Sequence, residues 1–216
     1  ESFASLASET GWFDEIWVDD RVPWYRIKSW LLLRRQVVSG GFGRIYDLQT
    51  SDRSGWYFRH FSSGGRPEWS GIVSGCSHPH SNPLRNSMHT IERQAEQLKM
   101  AGINKVYGID VNWLRGDITS LDLSGKRALL VPGGAKNRKD KRWPVACFSS
   151  LANRFIKSGM QVCLIGDATE LELQQAIAKN APEVVQLAGE TSLGQVATLA
   201  RCSHIAVGND TGPMHI

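Results

Sequence analysis

The sequence predicts an α/β fold with mainly parallel sheets, and three observations point to it. Short apolar runs alternate with stretches whose apolar residues recur every three to four positions. The connections between them are short and close on Gly, Asn or Asp, as strand–helix–strand units require. The chain has 216 residues, 41% hydrophobic and 21% charged, an ordinary globular composition long enough for one large or two small domains.

The second half carries the pattern most regularly. Ala128 to Val131 reads as a strand ending at Pro132-Gly133-Gly134. Pro144 opens a helix in which Val145, Phe148, Leu151, Ala152 and Phe155 share a face, and Gly159 ends it. Gln161 to Ile165 is the next strand. Thr169 is a candidate N-cap for a helix through Lys179, with Leu171, Leu173 and Ile177 facing inward. Val184 to Leu187 is a third strand. Ser192 to Ala200 is a short helix capped by Thr191 or Ser192, and His204 to Val207 is a fourth strand. Crossovers of this kind are right-handed, so the loops after the strands line one edge of the sheet, where open α/β sheets bind ligands.

The first half follows the same grammar less regularly. Glu15 to Val18 reads as a strand, Trp24 to Val38 as an amphipathic helix and Arg44 to Gln49 as a strand end. Ser51 or Asp52 caps a helix running through Phe61. Residues 62–88 are rich in Gly, Ser, Pro and Asn, with a strand expected at Ile72-Val73. His89 to Ala101 is helical, ended by Gly102. Residues 103–127 carry little periodicity and read as a connection. The expected division is a partial domain at 1–112 and a second at 113–216, both incomplete.

The net charge is +4. Much of the excess in the second half lies between Lys136 and Arg142, which suits a phosphate-bearing ligand better than a nucleic-acid track, although a solvated loop reads equally well. Cys76, Cys147, Cys163 and Cys202 show no CxxC spacing, so no zinc or redox site is expected. The last three sit in apolar contexts that read as core, and unpaired cysteines fit a reducing, cytoplasmic setting. His78-Pro79-His80 lacks further ligand spacing, and no metal is expected there. Trp12, Trp17, Trp24 and Trp30 read as core or cleft residues. With Arg26, Lys28, Arg34 and Arg35 they could instead meet an acidic glycolipid or membrane surface.

Two segments carry chemistry. Gly208-Asn209-Asp210-Thr211-Gly212-Pro213-Met214-His215 follows a strand and opens a helix. Backbone N–H groups at Thr211 and Gly212 would form an anion site, with His215 facing it. A plain helix start with Asp210 as N-cap stands equally open. Pro132-Gly133-Gly134-Ala135, followed by Lys136 through Pro144, also links a strand to a helix. It is neither a Walker A loop nor GxGxxG, which argues against a dinucleotide dehydrogenase. Two such loops on one sheet edge point to a diphosphate.

These segments resemble glycosyltransferase family 9, the ADP-heptose:lipopolysaccharide heptosyltransferases. Val207 to His215 is similar to the family's D-T-G-x-x-H signature. Pro132-Gly133 with Lys141-Arg142-Trp143-Pro144 is similar to its P-G-x…K-x-W-P segment, and Leu187 to Leu193 to its L-x-G-x-T-S-L stretch. Tyr46-Asp47-Leu48-Gln49 with Arg53-Ser54 resembles a shortened first-domain segment. The likeness is specific around 129–144 and 187–216 and looser before 110.

The resemblance implies the GT-B architecture of two Rossmann-like domains. It implies inverting, metal-independent transfer of a heptose from ADP-heptose to the core of lipopolysaccharide, with no cofactor. Lys141 would neutralise the departing diphosphate. Asp210, Thr211, Gly212 and His215 would surround the donor, Thr191 would lie near the nucleotide, and Gly133, Gly134 and Ala135 would form the facing loop. Asp47, Asp52 and Arg53 are acceptor-side candidates, though a capped helix start explains them as well. The partners implied are the sugar nucleotide, the lipopolysaccharide core or lipid A acceptor, and peripheral contact with the inner face of the inner membrane, without nucleic acid. The alternatives are a GT-B enzyme using another sugar nucleotide, or a non-catalytic nucleotide-binding domain. Residue 1 is Glu within helix-like sequence, and Ile216 falls where a helix should begin. The expectation is a piece of a longer enzyme, its general base upstream and its isolated activity nil.

Overall fold

The computed structural model describes residues 4–19, 23, 25–62, 64–108, 110–121, 123, 125–134 and 142–216. It divides into two compact units. The amino-terminal unit is Val18–Ile109, and the carboxyl-terminal unit joins Glu1–Trp17 to Asp110–Ile216.

The carboxyl-terminal unit contains α1 (Ala4–Thr10) and a four-stranded parallel sheet. Its strands are β4 (Arg127–Val131), β5 (Gln161–Gly166), β6 (Val185–Ala188) and β7 (Ile205–Gly208), in the order β6-β5-β4-β7. The covering helices are α5 (Val145–Lys157), α6 (Leu171–Ala178) and α7 (Leu193–Cys202). The run Ala128-Leu129-Leu130-Val131 has no polar member because both sheet faces are buried. Ala128 and Leu130 pack with Val162, Leu164, Phe148 and Ile177 on one face. Leu129 and Val131 pack with Cys163, Ile165, Leu187 and Leu199 on the other. Strand periodicity of two thus splits one apolar run between two cores.

The helix ends follow local chemistry. Gly159 adopts φ +79 after α5, a left-handed stop that suits glycine. Ser192 caps α7 in a reciprocal capping box with Gln195. The expected Thr169 cap is displaced: Asp167 caps a 3₁₀ turn at Ala168–Glu170, and α6 follows it. Ile177 is fully buried as expected, but Leu171, which directly follows that 3₁₀ turn, is exposed. Of the cysteines read as core, only Cys163 is buried, and burial pushes its thiol up to about 11. Cys202, the last residue of α7, is exposed.

Residues 111–118 lack regular structure yet are laced onto α7. Arg201 donates to the carbonyls of Leu114 (2.7 Å) and Val111, Gln195 donates to Asp117 O at 2.7 Å, and Gly116 N–H donates to Thr198 Oγ1 at 3.0 Å. A Cβ on Gly194 would lie 2.5 Å from the Arg115 carbonyl oxygen, so the two backbones touch.

The amino-terminal unit holds α2 (Ile27–Ser39), β1 (Arg44–Tyr46), α3 (Asp52–Phe58), β2 (Glu68–Gly71), β3 (His78–Pro79) and α4 (Thr90–Met100). Its sheet is parallel, in the order β1-β2-β3. Phe58, Phe61 and Trp69 form its core. Four expectations change here. Residues 15–18 form no strand, and all four are exposed rather than half-buried as a strand on a core would be. The helix expected over 24–38 starts at Ile27 and buries none of its residues. The next helix stops at Phe58, where Arg59 caps it, short of Phe61. The strand expected at Ile72-Val73 is replaced by β2 and β3 on either side, since Ile72 is exposed and only Trp69 to Gly71 are buried.

Trp12 is 65% exposed and packs against Trp113 at 5.6 Å, and Trp24 lies outside the described residues. Among the described residues no helix is long and apolar enough to cross a membrane.

Candidate functional site

The carboxyl edge of the four-stranded sheet holds a pocket of about 250 Å³. It is lined by Val131, Ile165 and Gly166 from the ends of β4 and β5, by Asp167 and Glu170 from the turn after β5, and by Thr191, Leu193 and Val196 around the start of α7. Thr211 and Pro213 complete it from the loop after β7. The topology dictates this assembly: parallel strands deliver all their following loops to one edge.

Of the residues predicted from sequence, Thr191 and Thr211 line the pocket. Gly133 and Gly134 flank it through Glu170. The Gly134 N–H donates to Glu170 Oε1 at 3.0 Å, and Asp167 N–H donates to Glu170 Oε2 at 3.2 Å. A Cβ on Gly133 would fall 1.7 Å from Glu170 Oε1, so glycine is required for the carboxylate to seat there. The amides after β4 and β5 therefore already hold an anion, supplied by the chain itself. Ala135 and Lys141 lie outside the described residues.

Gly212, Asp210 and His215 are not among the residues that line the pocket, although Thr211 and Pro213 beside them are. His215 Nε2 lies 3.3 Å from Asp210 Oδ1, and both side chains are mostly exposed. The expected helix start after Asp210 is a 3₁₀ turn, Gly212–His215, whose N-cap is Thr211. Asp210 thus pairs with His215 rather than capping.

Two residues that the sequence reading passed over organise this edge. Asn209 is 9% exposed. Its side-chain amide donates to the Pro132 carbonyl (2.7 Å) and the Gly133 carbonyl (3.0 Å), and its oxygen accepts from Trp143 N–H at 2.9 Å. It ties the loop after β7 to the loop after β4 and to the entry of α5. Arg142 donates to Gly134 O and closes the far end of the same loop. Gly208 also matters: a Cβ there would sit 2.7 Å from Val131 Cβ and 2.8 Å from Met214 Sδ. The second overlooked residue, Glu170, carries a readable signal, because Asp167-x-x-Glu170 is a capping-box pattern.

In the amino-terminal unit the acceptor-side candidates separate. Asp47 is 6% exposed; its Oδ1 accepts from Thr50 N–H at 2.8 Å, while its Oδ2 has no partner. Arg53 donates to both oxygens of Asp19 (2.6 and 2.5 Å) and stacks 5.1 Å from the Trp30 ring. Its guanidinium is held inside the unit, and the bond to Asp19 raises its pKa. Tyr57 also donates to Asp19, and burial first, then that bond, pushes its hydroxyl up to about 12. Asp52 is exposed. His80 is buried, with Nε2 2.8 Å from Glu96 Oε2 and Nδ1 accepting from Arg85 at 3.4 Å. It serves a polar network, while His78 meets Ser77.

The sequence profile of Glycosyltransferase family 9 (heptosyltransferase) matches residues 30–216. Lipopolysaccharide heptosyltransferase 2 of Salmonella typhimurium is 36% identical over 104 residues, covering 45% of this chain and 30% of that protein. The crystal structure of the glycosyl transferase family 9 protein from Veillonella parvula superposes with a TM-score of 0.75 at 18% identity, over 96% of this chain and 65% of that one. The ADP-heptose lps heptosyltransferase II of Escherichia coli superposes at 0.62 with 22% identity, over 88% and 63%. The chain spans less than two thirds of each. At these identities the two superpositions carry the fold, and it is the GT-B-like α/β class expected from the sequence.

Proposed function

Since the chain belongs to glycosyltransferase family 9, we propose that the full-length protein transfers a heptose from ADP-heptose to a lipopolysaccharide core acceptor, inverting the anomeric centre without a metal or cofactor. The observation that carries this reading is the Glu170 carboxylate on the amides of Gly134 and Asp167. Backbone amides there already meet a carboxylate, beside a pocket that Thr191 and Thr211 also line, which supports reading this sheet edge as anion-binding. An acceptor hydroxyl attacks the anomeric carbon, the bond to the diphosphate oxygen breaks, and the hydroxyl proton passes to a general base. Charge growing on the diphosphate is met by fixed donors. Lys141, a compact point charge, suits that task.

Turnover of the full-length protein with ADP-heptose and a deacylated core oligosaccharide tests the reading. Lys141→Ala is expected to lower kcat by about 10²–10³, in the range for loss of a transition-state charge contact. EDTA is expected to leave the rate unchanged. Preference for a UDP- or GDP-sugar would move the protein to a different donor. Unchanged turnover in both Lys141→Ala and Asp210→Ala would remove the assignment of these residues.

The setting we propose is cytoplasmic and peripheral to the inner membrane. The support is α2, which leaves Ile27, Leu31 and Leu32 exposed on a helix that also carries Lys28, Arg34 and Arg35. An apolar face beside cations suits an anionic lipid surface. Co-sedimentation with anionic vesicles that weakens at high salt is expected, and no binding at low salt would refute it.

A further inference from the structure

The outer face of α5 carries a hollow separate from the sheet-edge pocket. Ala146, Ser149 and Ser150 line it along the first turns of the helix, and Asn153, Arg154 and Lys157 along the rest. They follow the i, i+3, i+4, i+7, i+8, i+11 stripe of one helix face. Asn180, just past α6, closes the other side. The volume is about 500 Å³, against about 250 Å³ at the sheet edge, and the two share no lining residue. Short side chains at Ala146, Ser149 and Ser150 leave the space open. Its walls are fixed to one another. The buried Ser149 hydroxyl reaches the carbonyls of Val145 (3.0 Å) and Ile177 (3.2 Å), and Asn153 Nδ2 donates to Asn180 O at 2.7 Å. Pro144 caps α5 at its entry, so Arg154 lies about 15 Å further along the axis.

The donors on this face are unspent. Arg154 and Lys157 fall in the last turn of α5, where they offset the helix's own carbonyl charge. That field effect uses none of their N–H groups. Among the described residues the side chains of Ser150, Arg154 and Lys157 form no hydrogen bond or ion pair, and all three are exposed. Among the described residues no carboxylate lines the hollow. An occupant therefore meets a planar fork of donors, an ammonium and a hydroxyl. A phosphate monoester has the matching chemistry: three strong acceptor oxygens and a charge of about −1.5 to −2 at neutral pH. A carboxylate, with two oxygens, would be filled by the Arg154 fork alone. A neutral sugar would leave both cations without a counter-charge.

We propose that this hollow binds a phosphate monoester, its terminal oxygens accepting from Ser150, Arg154 and Lys157 and its organic part lying toward Ala146. The source is a soluble phosphoester or the headgroup of phosphatidic acid. The site is independent of the glycosyltransferase reading, and its test needs no turnover. Backbone amide chemical shifts of the full-length protein are followed while glycerol 3-phosphate is added at constant ionic strength. Saturable shifts at Ser150 to Lys157 and at Asn180 are expected. The double variant Arg154→Gln with Lys157→Gln is expected to bind about 10-fold or more weakly. Both side chains are exposed, so its circular dichroism should match wild type. Ala146→Gln fills the hollow and keeps both cations, and it is expected to weaken glycerol 3-phosphate more than inorganic phosphate. Co-sedimentation of the double variant, α2 unchanged, with phosphatidylcholine vesicles containing phosphatidic acid separates the sources. Reduced vesicle binding supports the lipid; unchanged vesicle binding with weakened glycerol 3-phosphate binding supports the soluble ester. Shifts confined to the sheet edge, equal shifts with chloride, or equal affinity in the double variant would overturn the proposal. Saturation by tetraglutamate and not by phosphate would also overturn it and assign the face to an acidic protein partner.

Discussion

Replacing Asn209 by alanine is expected to cost the carboxyl-terminal unit about 2–4 kcal/mol and to abolish measurable nucleotide binding by the full-length protein. One side chain serves three backbone groups: the carbonyls of Pro132 and Gly133 and the N–H of Trp143. All three belong to segments around the pocket, and Asn209 itself is 9% exposed. Truncation removes this partner from all three, and each of the two buried carbonyls costs roughly 1–3 kcal/mol before water or local shifts recover part of it. Asn209→Asp is the sharper probe. It keeps the shape but turns both donors into acceptors facing two carbonyls, so it should be worse than alanine. Thermal unfolding and calorimetric titration with ADP check both variants. A loss below about 0.5 kcal/mol would place Asn209 among ordinary surface substitutions and dissolve the tie described here.

Trp69→Ala is expected to be the most damaging single change in the amino-terminal unit, costing about 3–5 kcal/mol. Trp69 is 2% exposed and lies edge-on to Phe58 at 5.4 Å and to Phe61 at 6.4 Å. Those three side chains are the buried centre of the unit, with Val37, Ile45, Tyr57, Val73 and Cys76 packed around them. No second cluster exists there among the described residues to absorb the cavity. Trp69→Phe discriminates packing from polarity. It keeps a ring and removes an indole N–H that has no partner, so it should cost under about 1.5 kcal/mol. Hydrogen exchange is the readout: in Trp69→Ala the amides of β1, β2 and α3 should lose protection while those of β4 and β5 keep theirs. Equal loss in both sets would show that the cores do not melt separately.

The two units also differ in how plainly they could be read from sequence. β4 and β5 are buried on both faces, so their apolar runs have no competing explanation. β1 and β3 are three and two residues long, too short for any period to emerge. β2 is Glu-Trp-Ser-Gly, and Ser70 is fully buried because Gln97 donates to its carbonyl and hydroxyl, so polarity misleads there. At the site, Thr191 and Thr211 were visible because strand-to-helix loops announce themselves locally. Asn209 was not, since its partner Pro132 lies 77 residues away. Arg53 is an acceptor-side candidate by resemblance, but Asp19, 34 residues earlier, holds it. Pairings at long separation decide these roles, and a single sequence does not display them.

The lacing of residues 111–118 onto α7 has a mechanical consequence. The helix that supplies Leu193 and Val196 to the pocket wall cannot slide without dragging those residues, because four side-chain bonds and a backbone-to-backbone touch move as one piece. Displacement of that wall would therefore carry residues 111–118 with it.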